Sequence, residues 1–369
     1  MTTSAVRYAI LDRRKYRDFA VSRLADFALG DSEAFDSSRL FSDSRMSLYA
    51  LDYERNLACF VELPTAAALA TKPFFYLAQF SEATHLITIP LDELAALAAR
   101  IDVDDSRLVF IQSVGRCGST LVSRVFESLG SVRSLSEPDA FTNLVAWRAS
   151  ALAPDGVIRR FADSCVRVCC RPFAGTEASS FVAIKFRSQC IEIDDLLADA
   201  FPAAKHLYLT REPISWLDSS YRAFMDPQKV DDDDYRSWIE GTFGALHPLI
   251  KGKVVEGKPM PAWEASLFHW IANSETFRKF QDGGIAYCVA DFSEIRSNGL
   301  ETISRILDYC AIPIADLSVI EDCLSHDSQK GSGIEQELIN NPARRLPEEI
   351  RIKARNLLAQ YGYSTGERS

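Results

Sequence analysis

One stretch predicts a strand, a tight loop and a helix in succession: Arg107-Leu-Val-Phe-Ile-Gln-Ser-Val-Gly-Arg-Cys-Gly-Ser-Thr120, continued by Leu-Val-Ser-Arg-Val-Phe-Glu-Ser-Leu-Gly130. Residues 108–111 are an unbroken apolar run, typical of a strand buried on both faces of a parallel sheet. After the loop, apolar residues recur from Val122 at the helical spacing i, i+3, i+4 and i+7, and Gly130 stands where a left-handed helix cap belongs. Gly115 and Gly118 allow a sharp turn that presents backbone amides at a helix N-terminus, where the helix dipole favours negative charge. The stretch therefore predicts a phosphate-binding loop.

The loop differs from that of the nucleotide triphosphatases. Their G-x-x-x-x-G-K-[ST] motif has a lysine between the second glycine and the hydroxyl residue, and Ser119 holds that place here. The cation stands instead at Arg116, inside the loop. The segment Arg116-Cys-Gly-Ser-Thr-Leu121 resembles the 5′-phosphosulfate loop of sulfotransferases, which often reads R-x-G-S-T-L. From the loop alone, a strand-to-helix turn without a ligand is the alternative.

Composition is that of a soluble globular protein. The chain has 369 residues, of which 47% are hydrophobic and 25% charged, and its net charge of −10 argues against a general affinity for nucleic acid or anionic membranes. The opening residues lack the apolar core of a signal peptide, and no stretch approaches the length of a membrane span, so we expect a cytoplasmic protein. The nine cysteines form no C-x-x-C pair and the five histidines have no ligand spacing. Reduced thiols and no structural metal are therefore expected.

Residues 1–100 differ in character from the rest. Four short apolar runs predict strands of a small antiparallel unit: Met46–Leu51, Leu57–Leu63, Phe74–Phe80 and His85–Pro90. A predicted helix, 91–99, leads to an acidic hinge before the main sheet. The region is interpreted either as an acceptor-recognition or oligomerisation module, or as a decoration that braces the core.

The remainder, residues 101–369, alternates strands with helices. Strands are predicted near residues 131–136, 181–186, 205–210 and 285–289, with helical patterns between them. This order predicts an α/β fold with a parallel sheet, whose ligands lie at the carboxyl ends of the strands. Residues 112–117, Glu137, Lys185 and Arg211 all stand at such ends.

A second motif follows about ninety residues after the loop, in Leu209-Thr-Arg-Glu-Pro-Ile-Ser-Trp-Leu-Asp-Ser219. A strand ends at Arg211 and Pro213 begins a helix. Sulfotransferases resemble this pattern, because an arginine at a strand end and a serine eight residues later bind the 3′-phosphate of 3′-phosphoadenosine 5′-phosphosulfate (PAPS). A guanidinium can give bidentate bonds to phosphate and a hydroxyl adds one more donor. Arg211 and Ser219 match this pair.

Two further segments resemble the family in part. Ser328-Gln-Lys-Gly331 is similar to a late R-K-G segment over the same phosphate, with Lys330 and Gly331 matching and Gln329 replacing the arginine. A polar loop is the alternative. Lys185 is similar to the strand-end lysine of K-T-H segments, which faces the transferred sulfuryl group. The family's histidine base stands two residues later, where this chain has Arg187.

Because that histidine is missing, a carboxylate is the expected proton acceptor. Glu137 follows the predicted strand behind the loop helix, and some sulfotransferases of carbohydrates and of bacteria resemble this in using a glutamate there. The alternative is a Glu-Pro turn held by an ion pair. His206 and His269 are weaker candidates, since His206 begins its strand at the wrong end and His269 lies within a predicted helix.

The resemblance runs from Arg107 to Gly331 and implies a P-loop sulfotransferase-like parallel sheet flanked by helices, with residues 1–100 as an added N-terminal β-rich module. It implies a cytoplasmic, bacterial-like enzyme that transfers a sulfuryl group from PAPS, without a metal, to a small-molecule, carbohydrate or lipid acceptor. A P-loop kinase and a non-catalytic nucleotide-binding protein are the alternatives, and homo-oligomerisation is left open. The catalytic residues would be Glu137, Arg116 and Lys185. The nucleotide would be bound by Arg116, Cys117, Gly118, Ser119, Thr120, Arg211, Ser219, Lys330 and Gly331.

Overall fold

The computed structural model describes residues 5–15, 19–71, 73–171, 181–225, 249, 260–314, 316–326 and 345–363. The chain forms two compact units. The first unit comprises Met1–Ile111 and Ser123–Lys205, and the second comprises Gln112–Val122 and His206–Ser369.

The first unit contains an antiparallel sheet of five strands in the order β2-β1-β5-β4-β3. A cluster of buried side chains that includes Tyr49, Val61 and Leu86 forms its core. The predicted N-terminal β-rich module is therefore confirmed, although its first two strands were not predicted. The strands are β1 Val6–Arg13, β2 Phe27–Ala34, β3 Met46–Asp52, β4 Leu57–Glu62 and β5 His85–Pro90.

One predicted strand in this region is wrong. Three short helices accompany the sheet, α1 Arg39–Ser42, α2 Phe75–Glu82 and α3 Leu91–Ala98, and α2 occupies the apolar run predicted as a strand. That run has no β-branched residue, and a short apolar run alone does not distinguish a strand from a buried helix. Packing settles it, because the buried Gln79 amide donates to Ser47 Oγ at 2.8 Å and to the Leu48 carbonyl at 2.7 Å.

A second five-stranded sheet has the order β10-β9-β6-β8-β7. Its strands are β6 Leu108–Ser113, β7 Val132–Ser136, β8 Phe181–Lys185, β9 Lys205–Thr210 and β10 Tyr287–Asp291. Lys185 pairs in parallel register with Ile111 of β6 and with Ser136 of β7, and β10 also runs parallel to β9. All six residues of β6 are buried. The predicted α/β fold with a parallel sheet is confirmed.

Helices flank this sheet. The helix α4 Ser119–Ser128 follows the loop, and the first unit adds α5 Ala140–Ala149, α6 Asp155–Cys170 and α7 Asp194–Ala200. In the second unit, Pro213 occupies the first turn of its helix and the Glu212 carboxylate caps it by accepting from Ile214 N and Ser215 N, which confirms the predicted helix start. Among its described residues, that unit contains the helices α8 Pro213–Phe224, α9 Ala262–Asp282, α10 Phe292–Ser297, α11 Gly299–Tyr309, α12 Leu317–Ser325 and α13 Glu348–Gln360.

Within the first unit, α5 is bonded to the N-terminal sheet. The Asn143 side chain accepts from Leu51 N at 2.9 Å and donates to the Ser22 carbonyl at 3.0 Å. Both bonds are buried, and buried backbone groups need such partners. Asn143 therefore connects α5 to β3 and to the segment at Ser22.

Candidate functional site

The loop between β6 and α4 has a backbone that few residues tolerate. Gly115, Arg116 and Gly118 have positive φ angles of 73°, 51° and 84°. A Cβ atom on Gly118 would lie 3.3 Å from Phe292 Cδ2, so both conformation and space favour glycine there. Arg116 accepts the same strained region with a side chain, which is the kind of outlier that clusters at ligand sites.

Two side chains bond to the loop carbonyls. Trp216 Nε1 donates to the carbonyls of Val114 at 3.0 Å and Gly115 at 2.9 Å. Arg211 Nη1 donates to the Arg116 carbonyl at 2.9 Å. Three successive carbonyls are thus bound, while the amides at the start of α4 belong to a first helical turn, whose N–H groups lack intrahelical acceptors. This arrangement suits an anion at the helix N-terminus.

Three residues predicted to bind the donor are brought together in the second unit. Arg116 Nε donates to Ser219 Oγ at 3.3 Å, and Arg211 is bonded to the Arg116 carbonyl. Arg211 Nε also donates to Ser215 Oγ at 3.0 Å, and its Cζ lies 4.3 Å from the centre of the Phe292 ring. Burial lowers the pKa of Arg211 from its ordinary value, so an anionic ligand would offset the cost of holding this cation away from water.

Other loop residues have narrower roles. The Ser119 and Thr120 side chains are buried. The Cys117 thiol is buried and donates to the Leu209 carbonyl at 3.3 Å. Trp216 and Phe292 were missed at the sequence level. Trp216 lies inside the second motif, and the need of a buried indole N–H for an acceptor could have signalled it.

The neighbour of Ser219 anchors its helix. The buried Asp218 carboxylate pairs with Arg222 on the same helix and accepts from Arg351 Nη2 at 2.9 Å and from Leu346 N at 3.1 Å. These bonds join α8 to residues at and before α13. Ser219 is thereby held on a helix with partners on two sides.

In the first unit, Glu137 and Lys185 form an ion pair. Lys185 Nζ donates to Glu137 Oε1, and Glu137 N donates to the Lys185 carbonyl at 2.7 Å. The Lys185 side chain is 3% exposed and that of Glu137 is 15% exposed. Glu137 also has a positive φ of 63°. The predicted pair of catalytic residues is therefore adjacent, and the ion pair of the alternative interpretation is present as well.

Arg187, at the position of the family's histidine, is a second buried ion. Its Nε lies 2.9 Å from Asp139 Oδ1 and 3.9 Å from Glu137 Oε2. Burial opposes its charge, but Asp139 and then Tyr76 and Glu137 outweigh this and raise the pKa of Arg187. A guanidinium that stays protonated cannot accept a proton, so Arg187 does not replace the histidine as a base.

The remaining candidates are placed as follows. His206 is buried at the start of β9, 5.7 Å from the Tyr287 ring, and His269 is buried within α9. Lys330 and Gly331 lie outside the described residues. Among the residues that the structure describes, no cluster of His, Cys, Asp or Glu could hold a metal ion. In the same part of the chain, none of the helices has both the length and the apolar character required to cross a bilayer.

Lys15, two residues after the end of β1, has a buried side chain close to Asp26 and Ser22. Its side chain is 2% exposed and its Nζ lies 3.8 Å from Asp26 Oδ2. The same Nζ donates to Ser22 Oγ at 3.3 Å. Three ring centres lie between 5.1 and 5.8 Å from Nζ, those of Tyr49, Tyr76 and Phe80. An ammonium group in such a place has lost most of its water.

The free energy of unfolding is expected to rise with pH across the titration of Lys15. Burial lowers the pKa of Lys15 from 10.5 to about 8, against the opposing effect of Asp139. Between these two values the unfolded chain holds a proton that the folded chain has released, so stability rises in this window and is level on either side. The slope is at most about 1.4 kcal/mol per pH unit.

Urea unfolding of the protein and of the Lys15→Met variant measures this effect, because the difference between the two isolates the lysine. A difference that stays constant from pH 8 to 10.5 would contradict it.

No family model matches the sequence, and a search of curated proteins finds no match. Similar solved structures include a sulfotransferase from Mycobacterium avium, with 10% identity and a TM-score of 0.45 over 73% of this chain and 83% of that one. The sulfotransferase domain from the curacin biosynthetic pathway has 13% identity and a TM-score of 0.40, over 69% of this chain and 97% of that one. Retinol dehydratase in complex with androsterone and the inactive cofactor PAP has 12% identity and a TM-score of 0.39, over 75% of this chain and 86% of that one.

Proposed function

We propose that the chain is a cytoplasmic sulfotransferase that uses PAPS as donor and a hydroxyl or amine of a small-molecule, carbohydrate or lipid acceptor. One observation carries the proposal: Arg116, Arg211 and Ser219 meet at a glycine loop that opens a helix. Two guanidinium groups and a hydroxyl beside helix amides that lack intrahelical acceptors suit a ligand with more than one phosphate-like group.

Both phosphates of the donor have proposed partners in the second unit. The amides of Gly118, Ser119 and Thr120 bind the 5′-phosphate at the start of α4. Arg211 and Ser219 bind the 3′-phosphate, which sets PAPS apart from ADP and ATP. Phe292 supports the Arg211 guanidinium, whose Cζ lies 4.3 Å from the ring centre.

The reaction breaks the bond between sulfur and the bridging phosphate oxygen and forms a bond between sulfur and the acceptor oxygen or nitrogen. Like phosphoryl transfer, it depends on positioning and on neutralising the charge that develops on oxygen. Arg116 and Lys185 are proposed to stabilise this charge on the bridging and sulfuryl oxygens. The acceptor proton passes to Glu137, and 3′-phosphoadenosine 5′-phosphate (PAP) leaves.

The ion pair with Lys185 supports the choice of one Glu137 oxygen as the proposed proton acceptor. Oε1 is bonded to Lys185, whereas Oε2 lies 3.9 Å from Arg187 Nε, beyond hydrogen-bond distance. Oε2 is therefore the proposed acceptor atom. With a side chain 15% exposed, Glu137 retains some access for a substrate.

Nucleotide selectivity is the direct test. The protein is expected to bind PAP at least about tenfold more tightly than ADP or ATP, without magnesium, because only PAP offers a 3′-phosphate to Arg211 and Ser219. Calorimetric titration with the three nucleotides measures this. Equal affinities, or a strict need for magnesium, would reject the donor assignment and favour a kinase.

A further inference from the structure

The N-terminal sheet module, which is the N-terminal β-rich module of residues 1–100, contacts Arg187 through two residues. The Tyr76 ring of α2 lies against the guanidinium, with Cζ 3.9 Å from the ring centre. Arg187 Nη1 donates to the Phe19 carbonyl at 2.8 Å. A stacked, hydrogen-bonded guanidinium has little freedom to rotate. The module therefore fixes the orientation of a residue that belongs to the parallel sheet region.

Asp139 is a further buried partner of Arg187. Its carboxylate lies 2.9 Å from Arg187 Nε and also accepts from Ser22 N, in the module, at 2.6 Å. Asp139 is fully buried. A buried carboxylate that bonds both a guanidinium and a module backbone amide joins the two parts of the unit through charge as well as apolar contact.

Both cations that flank Glu137, Arg187 and Lys185, also contact residues of the N-terminal sheet module. Arg187 Nε lies 3.9 Å from Glu137 Oε2, and Lys185 bonds Oε1. The module also touches Lys185, because the Phe74 ring centre lies 5.2 Å from its Nζ. Phe74 and Tyr76 thus each face one of the two cations that flank the carboxylate.

We propose that the N-terminal sheet module supplies positioning residues for the proton acceptor, with Tyr76 acting through Arg187 on Glu137. This inference rests on the proposed function. A base is effective only when its oxygen is held at the reacting proton, and small misplacements of such a group lower the rate sharply. Removing the Tyr76 ring lets the Arg187 guanidinium rotate, and this changes the electrostatic attraction that Arg187 exerts on Glu137 Oε2.

The test is a double-mutant cycle with Tyr76→Leu and Glu137→Gln, read as PAP released from PAPS in water. Tyr76→Leu alone is expected to slow release about tenfold while PAP affinity stays within about twofold. In the Glu137→Gln background the same change is expected to have no further effect, because its target is gone. Tyr76→Phe, which keeps the ring, should recover most of the loss.

Phe60→Leu is the matched control, since Phe60 is a fully buried aromatic residue of β4 in the same module and its ring neighbour is Phe41. It should lower the thermal midpoint of unfolding while release of PAP by the folded protein stays within about twofold.

Each outcome separates the inference from the proposed function. Equal loss from Tyr76→Leu in both backgrounds would make Tyr76 purely structural and overturn the inference while the donor assignment stands. A wild-type protein that binds PAP but releases none from PAPS would also overturn it, because no base would then be positioned. Failure of the wild-type protein to bind PAP at all would reject the proposed function itself.

Discussion

Arg211→Ala is expected to weaken PAP binding about a hundredfold while leaving adenosine 5′-phosphate binding almost unchanged. A guanidinium that bonds a phosphate contributes charge-assisted bonds of roughly 1.5–3 kcal/mol, and the 3′-phosphate is the group that only PAP carries. Arg211→Lys should fall between the two proteins, because an ammonium keeps the charge but loses the planar fork. Calorimetric titration of both nucleotides measures the effect.

The comparison of the two nucleotides is needed because Arg211 also supports the loop through the Arg116 carbonyl. If both affinities fall equally, Arg211 holds the loop and does not read the 3′-phosphate. Arg305→Ala is a suitable control. Arg305 belongs to the second unit, pairs with Glu294 at 3.1 Å and is half-exposed, so its loss should leave both affinities within about twofold.

Glu137→Gln is expected to reduce sulfuryl transfer by roughly a hundredfold or more, with fold and PAP affinity retained. Glutamine keeps the shape of the side chain and can still accept a bond from Lys185, but it cannot take a proton. The assay is PAP formation from PAPS, in water at first and with an acceptor once one is found.

Glu127→Gln provides the matched control in the same unit, since Glu127 is a glutamate whose carboxylate accepts from Ser134 N at 2.5 Å. Its turnover should stay close to that of the unaltered protein. Wild-type turnover by the Glu137 variant would instead assign Glu137 to a structural ion pair. The search for a base would then pass to His206, His269 and carboxylates of the N-terminal module.

The sequence was sufficient to predict the local structure around the glycine loop. The strand, loop and helix from Leu108 to Ser128 follow from an apolar run, two glycines and a helical repeat, each of which acts over a few residues. Arg211 and Ser219 were predicted to bind one phosphate because the segment resembles the sulfotransferase pattern of a strand-end arginine followed eight residues later by a serine. Their roles stay predictions until the titrations are made.

Contacts between residues that are far apart in the sequence could not be predicted. The sequence showed that Arg187 stands where the sulfotransferases have a histidine. It did not predict the hydrogen bond from Arg187 to the Phe19 carbonyl, which spans 168 positions in sequence. Nothing in the residues around Phe19 signals this contact, because it depends on how the whole N-terminal sheet packs. The strands β1 and β2 were also missed, because most of their residues are half-buried or exposed and the apolar run in β1, Tyr8–Leu11, spans only four residues. The helix at 75–82 was mistaken for a strand for the opposite reason, since its apolar run fits either structure.

The burial of Arg187 limits how freely the two parts of the first unit could have been exchanged during evolution. An appended domain that meets its host through apolar surface can be replaced by another of similar shape. Here the boundary encloses a guanidinium and a carboxylate whose partners come from both sides. Loss of one partner from such a buried pair costs about 3–5 kcal/mol. Replacement of the N-terminal sheet by a different one would require changes at Arg187 and Asp139 as well. The sequence of the N-terminal sheet and the residues at positions 139 and 187 are therefore expected to change together in related proteins.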